Sequence, residues 1–329
     1  MELWIGAINL GFLYGFMAIG AFITYRIYNF PDMTVDGSFT TGAAVAAVLI
    51  VAGVNPFLVI PLSFLASGLA GFLTAYIHTR FKINPLLAGI LVMTGLYSIN
   101  LRIMDKSNIP LLNSPSFITF LEALNPGMNF ELWLCLCLIV AMFIFWLLIS
   151  LFFKSDFGLT MQATGNNPTM VSANGVNVNW MILFGVALAN GFVGVSGAIV
   201  AQYQGFADIG MGVGSIVFSL AAVIIGEALI KSRSIYVKVF SVILGSIVFR
   251  LLVALALDVG LNPNDLKLIT AVFVMLTLFT SGTLTGGKKY ISGMNILSFV
   301  KKNFKIIGIT SITLIVIVTA VFLYKNNTF

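Results

Sequence analysis

Long apolar runs broken by short polar stretches set the pattern of this chain. Runs long enough or nearly long enough to cross hydrocarbon fall at about 3–25, 38–54, 56–78, 84–103, 130–153, 180–200, 214–230, 236–257, 265–285 and 305–324. A spanning helix needs about 20 such residues. The second and seventh runs are short for that purpose. Polar and apolar residues do not alternate with period two inside the runs, so the pattern predicts helices and not barrel strands. No Lys or Arg precedes the first run and no small-residue cleavage site closes it, so that run is expected to stay in place as a helix.

Composition agrees. The chain has 329 residues, of which 59% are hydrophobic and 9% charged, with mean hydropathy +1.06; a soluble domain carries about 25% charge. The expected class is an all-α polytopic membrane protein. It would have about nine core helices, a tenth appended at the C-terminus, and a short cytoplasmic helix between spans. Residues 1–290 would form the membrane domain, and 291–329 a basic loop with the appended helix. An outside N-terminus puts Arg26, Arg80, Lys82, Lys154, Lys231, Arg233, Lys238 and the lysines of 288–305 on the inner face. Positive charge favours the cytoplasm. The net charge of +6 therefore reflects topology and anionic lipid, and no basic face interleaved with aromatics suggests nucleic acid.

Several polar positions invite chemistry. Asp32 and Asp36 could hold a cation, but beside Thr34 and Ser38 they read better as caps of the next helix. Pro31 and Gly37 are expected to break the first helix there. His78 reads as an interfacial side chain beside Arg80 and Lys82. Cys135 and Cys137 are two apart on a helix and read as apolar thiols with neither disulfide nor metal. A short helix near Ser116–Leu124 would fit the outer loop 104–129. Asn100, Asn190, Gln202 and Arg250 are candidates for a translocation pathway or for polar packing. An arginine centred in lipid costs about 2.5–3.5 kcal/mol on insertion scales, so Arg250 should face the bundle, with Asp258 as partner. Glu227 and Lys231 are spaced for an i,i+4 ion pair at the cytoplasmic end.

Two motifs mislead. Gly282–Lys289, GTLTGGKK, follows a spanning helix and ends in Lys where a phosphate loop needs Ser or Thr. The chain therefore carries no ATPase of its own. An ion-coupled secondary transporter would place acidic groups at mid-span, whereas here they cluster near helix ends. No residue cluster suggests an enzyme or a metal site.

The polar interruption Lys154–Trp180, KSDFGLTMQATGNNPTMVSANGVNVNW, is the strongest signal. Thr164, Gly165, Asn166 and Asn167 suit turns and caps. Asn167 is an N-cap, Pro168 fits the first helical turn, and Gly175 is a C-terminal stop. A helix over Thr169–Asn174 is too short to stand alone and must be braced. Met170, Val171 and Asn174 would then form an exposed knob beside Ala173.

This segment resembles the coupling loop of ABC importer permeases of the branched-chain amino acid and ribose type. Gly158, Ala163, Gly165, Asn167, Ala173 and Gly175 stand at matching places, and Gln162 replaces an Arg of the pattern. PDMTVDGSFTTGAAVAA resembles an early segment of the same family, with one extra residue. Val195–Val217, Val223–Glu227 and Gly260–Ala271 resemble a branch of tryptophan and other amino-acid importers. The resemblance covers about residues 1–290 and implies a permease subunit for a small polar solute, an amino acid, with aromatic amino acids among the candidates. It also implies two permease copies as a homodimer, a cytoplasmic ABC ATPase carrying ATP and Mg, an extracytoplasmic substrate-binding protein, and a bacterial cytoplasmic membrane. Thr164, Gly165, Asn166, Asn167, Pro168, Met170, Ala173 and Gly175 would be the ATPase-coupling residues.

Overall fold

A computed structural model describes residues 2–275 except 113, 233, 259, 261–267, 269 and 273. The expected helix over 305–324, the GTLTGGKK motif and most of the run 265–285 lie outside the described residues.

Seven described helices are long and apolar enough to span a membrane. They are α1 (Glu2–Ala21, continued by a π-helical turn Phe22–Ile27), α2 (Thr34–Val51), α3 (Pro56–Phe81), α4 (Pro85–Met104), α6 (Phe130–Lys154), α9 (Val178–Gln204) and α11 (Ile235–Asp258). A fifteen-residue apolar helix, α10 (Ser215–Leu229), lies between the last two. Short helices α5 (Phe117–Ala123), α7 (Asp156–Asn166) and α8 (Pro168–Ala173) complete the described set. The protein is thus an all-α polytopic membrane protein.

Cap chemistry explains many of the boundaries. Asn55, Asn84, Asn129 and Asn177 each accept a backbone N–H from the first turn of the helix they precede, which satisfies an otherwise orphaned donor. Pro56 and Pro85 fill first-turn positions where no N–H is needed. Gly37 does not break a helix as expected. It lies in α2, where Leu96 and Met93 of α4 press on it. The break falls earlier, at 28–33, where Asn29 takes φ +51°.

α2 and α9 form the buried centre. Gly42 of α2 meets the Gly194 backbone of α9 so closely that a Cβ there would overlap it; small residues give membrane helices this kind of approach. α1 and α11 close one side through Gly11 against Ile247 and the Ser246 hydroxyl, which donates to the Gly11 carbonyl (2.8 Å). α3, α4 and α6 turn large apolar side chains outward, among them Leu65, Leu69, Leu91, Phe143 and Leu148. That surface suits lipid.

Two three-residue strands that the sequence did not announce pair antiparallel: β1 (Asn108–Pro110) and β2 (Phe206–Asp208). They join the loop 105–129 to the end of α9. The helix expected near Ser116–Leu124 exists as α5, capped reciprocally by Ser116 and Thr119.

Candidate functional site

The polar interruption folds as two helices. α7 opens on Ser155, whose hydroxyl accepts from Gly158 N–H (3.3 Å). Positions 158, 161, 164 and 165 of α7 share one helical face, and that face is turned into the protein. A Cβ at Gly158 would overlap Phe152 and Phe153 at the end of α6, Met161 and Thr164 are buried, and a Cβ at Gly165 would overlap the Ile27 carbonyl. Asn29 donates to the Gly165 carbonyl (3.2 Å), and Gln162 donates to the Phe153 carbonyl (2.9 Å). The Tyr28 hydroxyl donates to the Met181 carbonyl (2.7 Å) and fixes the end of the first helix to α9. Burial raises the Tyr28 phenol above its ordinary pKa, so the donor proton stays in place.

α8 then projects from this base. Asn167 accepts from Met170 N–H (3.1 Å), Pro168 occupies the first turn, and Gly175 takes φ +81° after the last, as the residue types predict. Asn166, Asn167, Pro168, Met170, Ala173, Asn174 and Gly175 are exposed. Met170 keeps 59% of its surface and Val171 5%. The expected knob is therefore corrected at one position: Val171 points inward and braces α8. Thr164 and Gly165 also belong to the seat, not to the projecting surface. An open cleft of about 500 Å³ runs beside α8, lined by Pro168, Ser172, Gly175 and the first residues of α9.

A second constellation occupies the bundle centre. Asn190, near the midpoint of α9, accepts from the Ser38 hydroxyl (2.6 Å) and donates to Asp32 Oδ2 (2.6 Å) and the Val186 carbonyl (3.0 Å). Asp32 Oδ1 accepts from Thr34 N–H (2.8 Å). Asp32 thus caps the helix that follows it, while α2 starts beside the middle of α9. Asp36 does something the sequence did not show. Its carboxylate accepts from Gly214 N–H (2.9 Å), the Ser215 hydroxyl (2.9 Å) and Ile216 N–H (2.8 Å), so it caps α10. Gly212 descends along α2 and donates to Thr40 Oγ1 (3.2 Å). α10 is therefore a part-length helix whose N-terminus meets that of α2 inside the bundle. Irregular backbone at such depth is tolerated where protein satisfies it, and the Gly-rich run 205–214 was the available signal.

The other candidates separate. Gln202 accepts from Phe117 N–H (2.8 Å) and anchors α5. Asn100 is buried and donates to the Gly37 carbonyl (3.4 Å). Glu227 pairs with Arg26 and not, as expected, with Lys231, because α10 ends at Leu229 and the i,i+4 geometry is lost. Arg250 does not pair with Asp258. Its guanidinium lies over the Tyr14 ring, 4.0 Å from the centroid, and 5.2 Å from that of Phe218. His78 Nδ1 lies 2.7 Å from the Ile83 carbonyl and ties off the α3–α4 turn. Cys135 and Cys137 are free thiols.

A helical bundle with interrupted helices at its centre and a braced stub on one face defines a multi-pass transport subunit of the permease class. Residues 4–278 match the family described as branched-chain amino acid transport system / permease component, and the chain belongs to this family of ABC importer permeases. It is 37% identical over 273 residues to the tyrosine transport system permease protein of Clostridioides difficile, covering 83% of this chain and 89% of that one. It is 29% identical over 287 residues to a nucleoside ABC transporter permease protein of Lactococcus lactis subsp. cremoris, covering 82% and 80%. A ribose import permease protein of Haemophilus influenzae is 23% identical over 266 residues, covering 78% of each. No solved structure matches the chain.

Proposed function

We propose that this chain forms the translocation pathway of an ATP-driven importer for an amino acid, with aromatic amino acids as the favoured substrates. It works as two copies in the bacterial cytoplasmic membrane. A separate ABC ATPase holds ATP and Mg on the inner side, and a binding protein delivers solute outside. The observation that carries the reading is the α7–α8 stub: one face is wedged against Ile27, Phe153 and Tyr28, and the opposite surface around Met170 is exposed. A lever needs a rigid root and a free tip. Force applied at α8 passes through Gly165 to the first helix and through Tyr28 to α9, and a packed bundle responds to such a push by switching between discrete arrangements. The amino-acid assignment draws on the similarity to the tyrosine permease.

The test separates this from the rival reading, an ion-coupled transporter acting alone. Uptake of labelled L-tyrosine is measured in cells carrying the chain with its ATPase and binding protein. ATP depletion should stop uptake, and a protonophore that leaves ATP intact should not. Met170→Asp should leave the permease abundant but lose the copurifying ATPase. Val171→Asp, which buries a charge, should instead lose folded permease. Uptake that follows the ion gradient, or full ATPase retention by Met170→Asp, would sink the proposal.

A further inference from the structure

Arg250 is unlike the other described cations. It sits eight residues before the end of α11 at Asp258, roughly 12 Å along the axis at 1.5 Å per residue. Its Nε is buried with no hydrogen-bond partner, while the residue as a whole stays partly exposed. Among the described residues no carboxylate pairs with it. The acids of the bundle are engaged elsewhere: Asp32 with Asn190 and Thr34, Asp36 on α10, Glu131 with Asn9 and Tyr203, and Glu227 with Arg26. The guanidinium lies instead over aromatic rings, those of Tyr14 and Phe218. Tyr14 stacks on Phe39 (5.6 Å, 6°) behind it, and Phe218 is packed edge-on by Phe249 (4.9 Å).

A ring beneath a guanidinium fixes its plane and leaves its N–H edge free, which is the geometry that takes two carboxylate oxygens at once. An arginine at membrane depth without an acidic partner is a functional position by default. We propose that Arg250, positioned by Tyr14 and Phe218, receives the carboxylate of the transported amino acid. The inference rests on the amino-acid importer reading above. A lipid phosphate offers similar acceptor oxygens, but it belongs at a helix end. Arg250 lies well inside α11 and folds onto Tyr14 instead of extending towards the surface.

The experiment uses the full-length chain in nanodiscs, with phenylglyoxal modification of Arg250 and of the exposed Arg80 followed by peptide mass analysis. L-tyrosine should slow modification at Arg250 and not at Arg80, and tyramine, which lacks the carboxylate, should slow neither. Protection should be equal in phosphatidylcholine alone and with phosphatidylglycerol added. In the complete transporter, Arg250→Gln should cut L-tyrosine uptake by about tenfold or more, the scale of a lost charged hydrogen bond, with ATPase copurification intact. Arg250→Lys should recover part of it with a raised KM. Equal protection by tyramine, no protection by L-tyrosine, or shielding that appears only with phosphatidylglycerol would overturn the assignment. If wild-type uptake is ATP-driven and Arg250 is unprotected, the importer reading stands and this inference alone falls. If wild type shows no ATP-dependent uptake, both fall.

Discussion

Two aspartates four residues apart show how far single positions can be read. Asp32 and Asp36 carry the chemistry of helix caps, and both are caps. Asp32 serves the helix that follows it, as its neighbours suggest. Asp36 serves α10, which begins 179 positions later in the chain. The function of the side chain was legible and its address was not, because nothing local encodes a partner so distant. Removing a cap costs about 0.5–2 kcal/mol, and Asp36 satisfies three donors at once. Asp36→Ala should therefore lower the unfolding temperature in detergent and speed hydrogen exchange at amides 214–216. Asp36→Asn, which keeps an acceptor oxygen, should recover part of both. Unchanged exchange in Asp36→Ala would show that the cap does not hold α10. Arg250 teaches the reverse lesson. Sequence spacing offered Asp258, but the aromatic rings that hold Arg250 come from α1 and α10, and with Phe at 29 positions the sequence alone could not single one out.

Among the elements, the long helices were readable because apolar length is a local property, and their expected limits fall within a few residues of the observed ones. α8 was readable for another reason: Asn167, Pro168 and Gly175 act on their own neighbours. α7 escaped because its buried stripe mixes glycine, methionine and threonine, a pattern with little hydrophobic contrast. The start of α2 was misplaced because Thr34–Ser38 looks too polar for a span. Those residues are nevertheless buried, their polar groups satisfied by Asn190, Thr74 and α10. The contact between α2 and α9 depends on absent side chains. Gly42→Leu has no flexible neighbour to push aside, only the Gly194 backbone. Overpacking of this kind costs typically about 1–3 kcal/mol, and more where backbone must move. Gly42→Leu should aggregate on extraction, while Gly95→Leu, at a position with open space around it, should extract as wild type. Equal recovery of both would contradict the packing described.

For the whole molecule, the distribution of lysine and arginine assigns α8 to the cytoplasm and the β1–β2 corner to the exterior. Single cysteines test this directly. A membrane-impermeant maleimide should label Leu112→Cys, whose parent side chain keeps 82% of its surface, in intact cells. Met170→Cys should be labelled only after the membrane is opened. The opposite result would invert the orientation, and with it the coupling proposal. Composition and family pattern fixed the class of this protein without any view of its interior; the paired helix N-termini at its centre could come only from three-dimensional contacts. Those contacts also bear on how the chain is made. α10 is short for a spanning helix, and its first amides find their acceptor only on a residue inserted long before. Its seat must wait for α2 and α9 to pack, since loops spanning most of a chain close late. A nascent chain must therefore grow well past residue 229 before α10 leaves the ribosome and reaches Asp36, so this cap closes only once α2 and α9 are already in place.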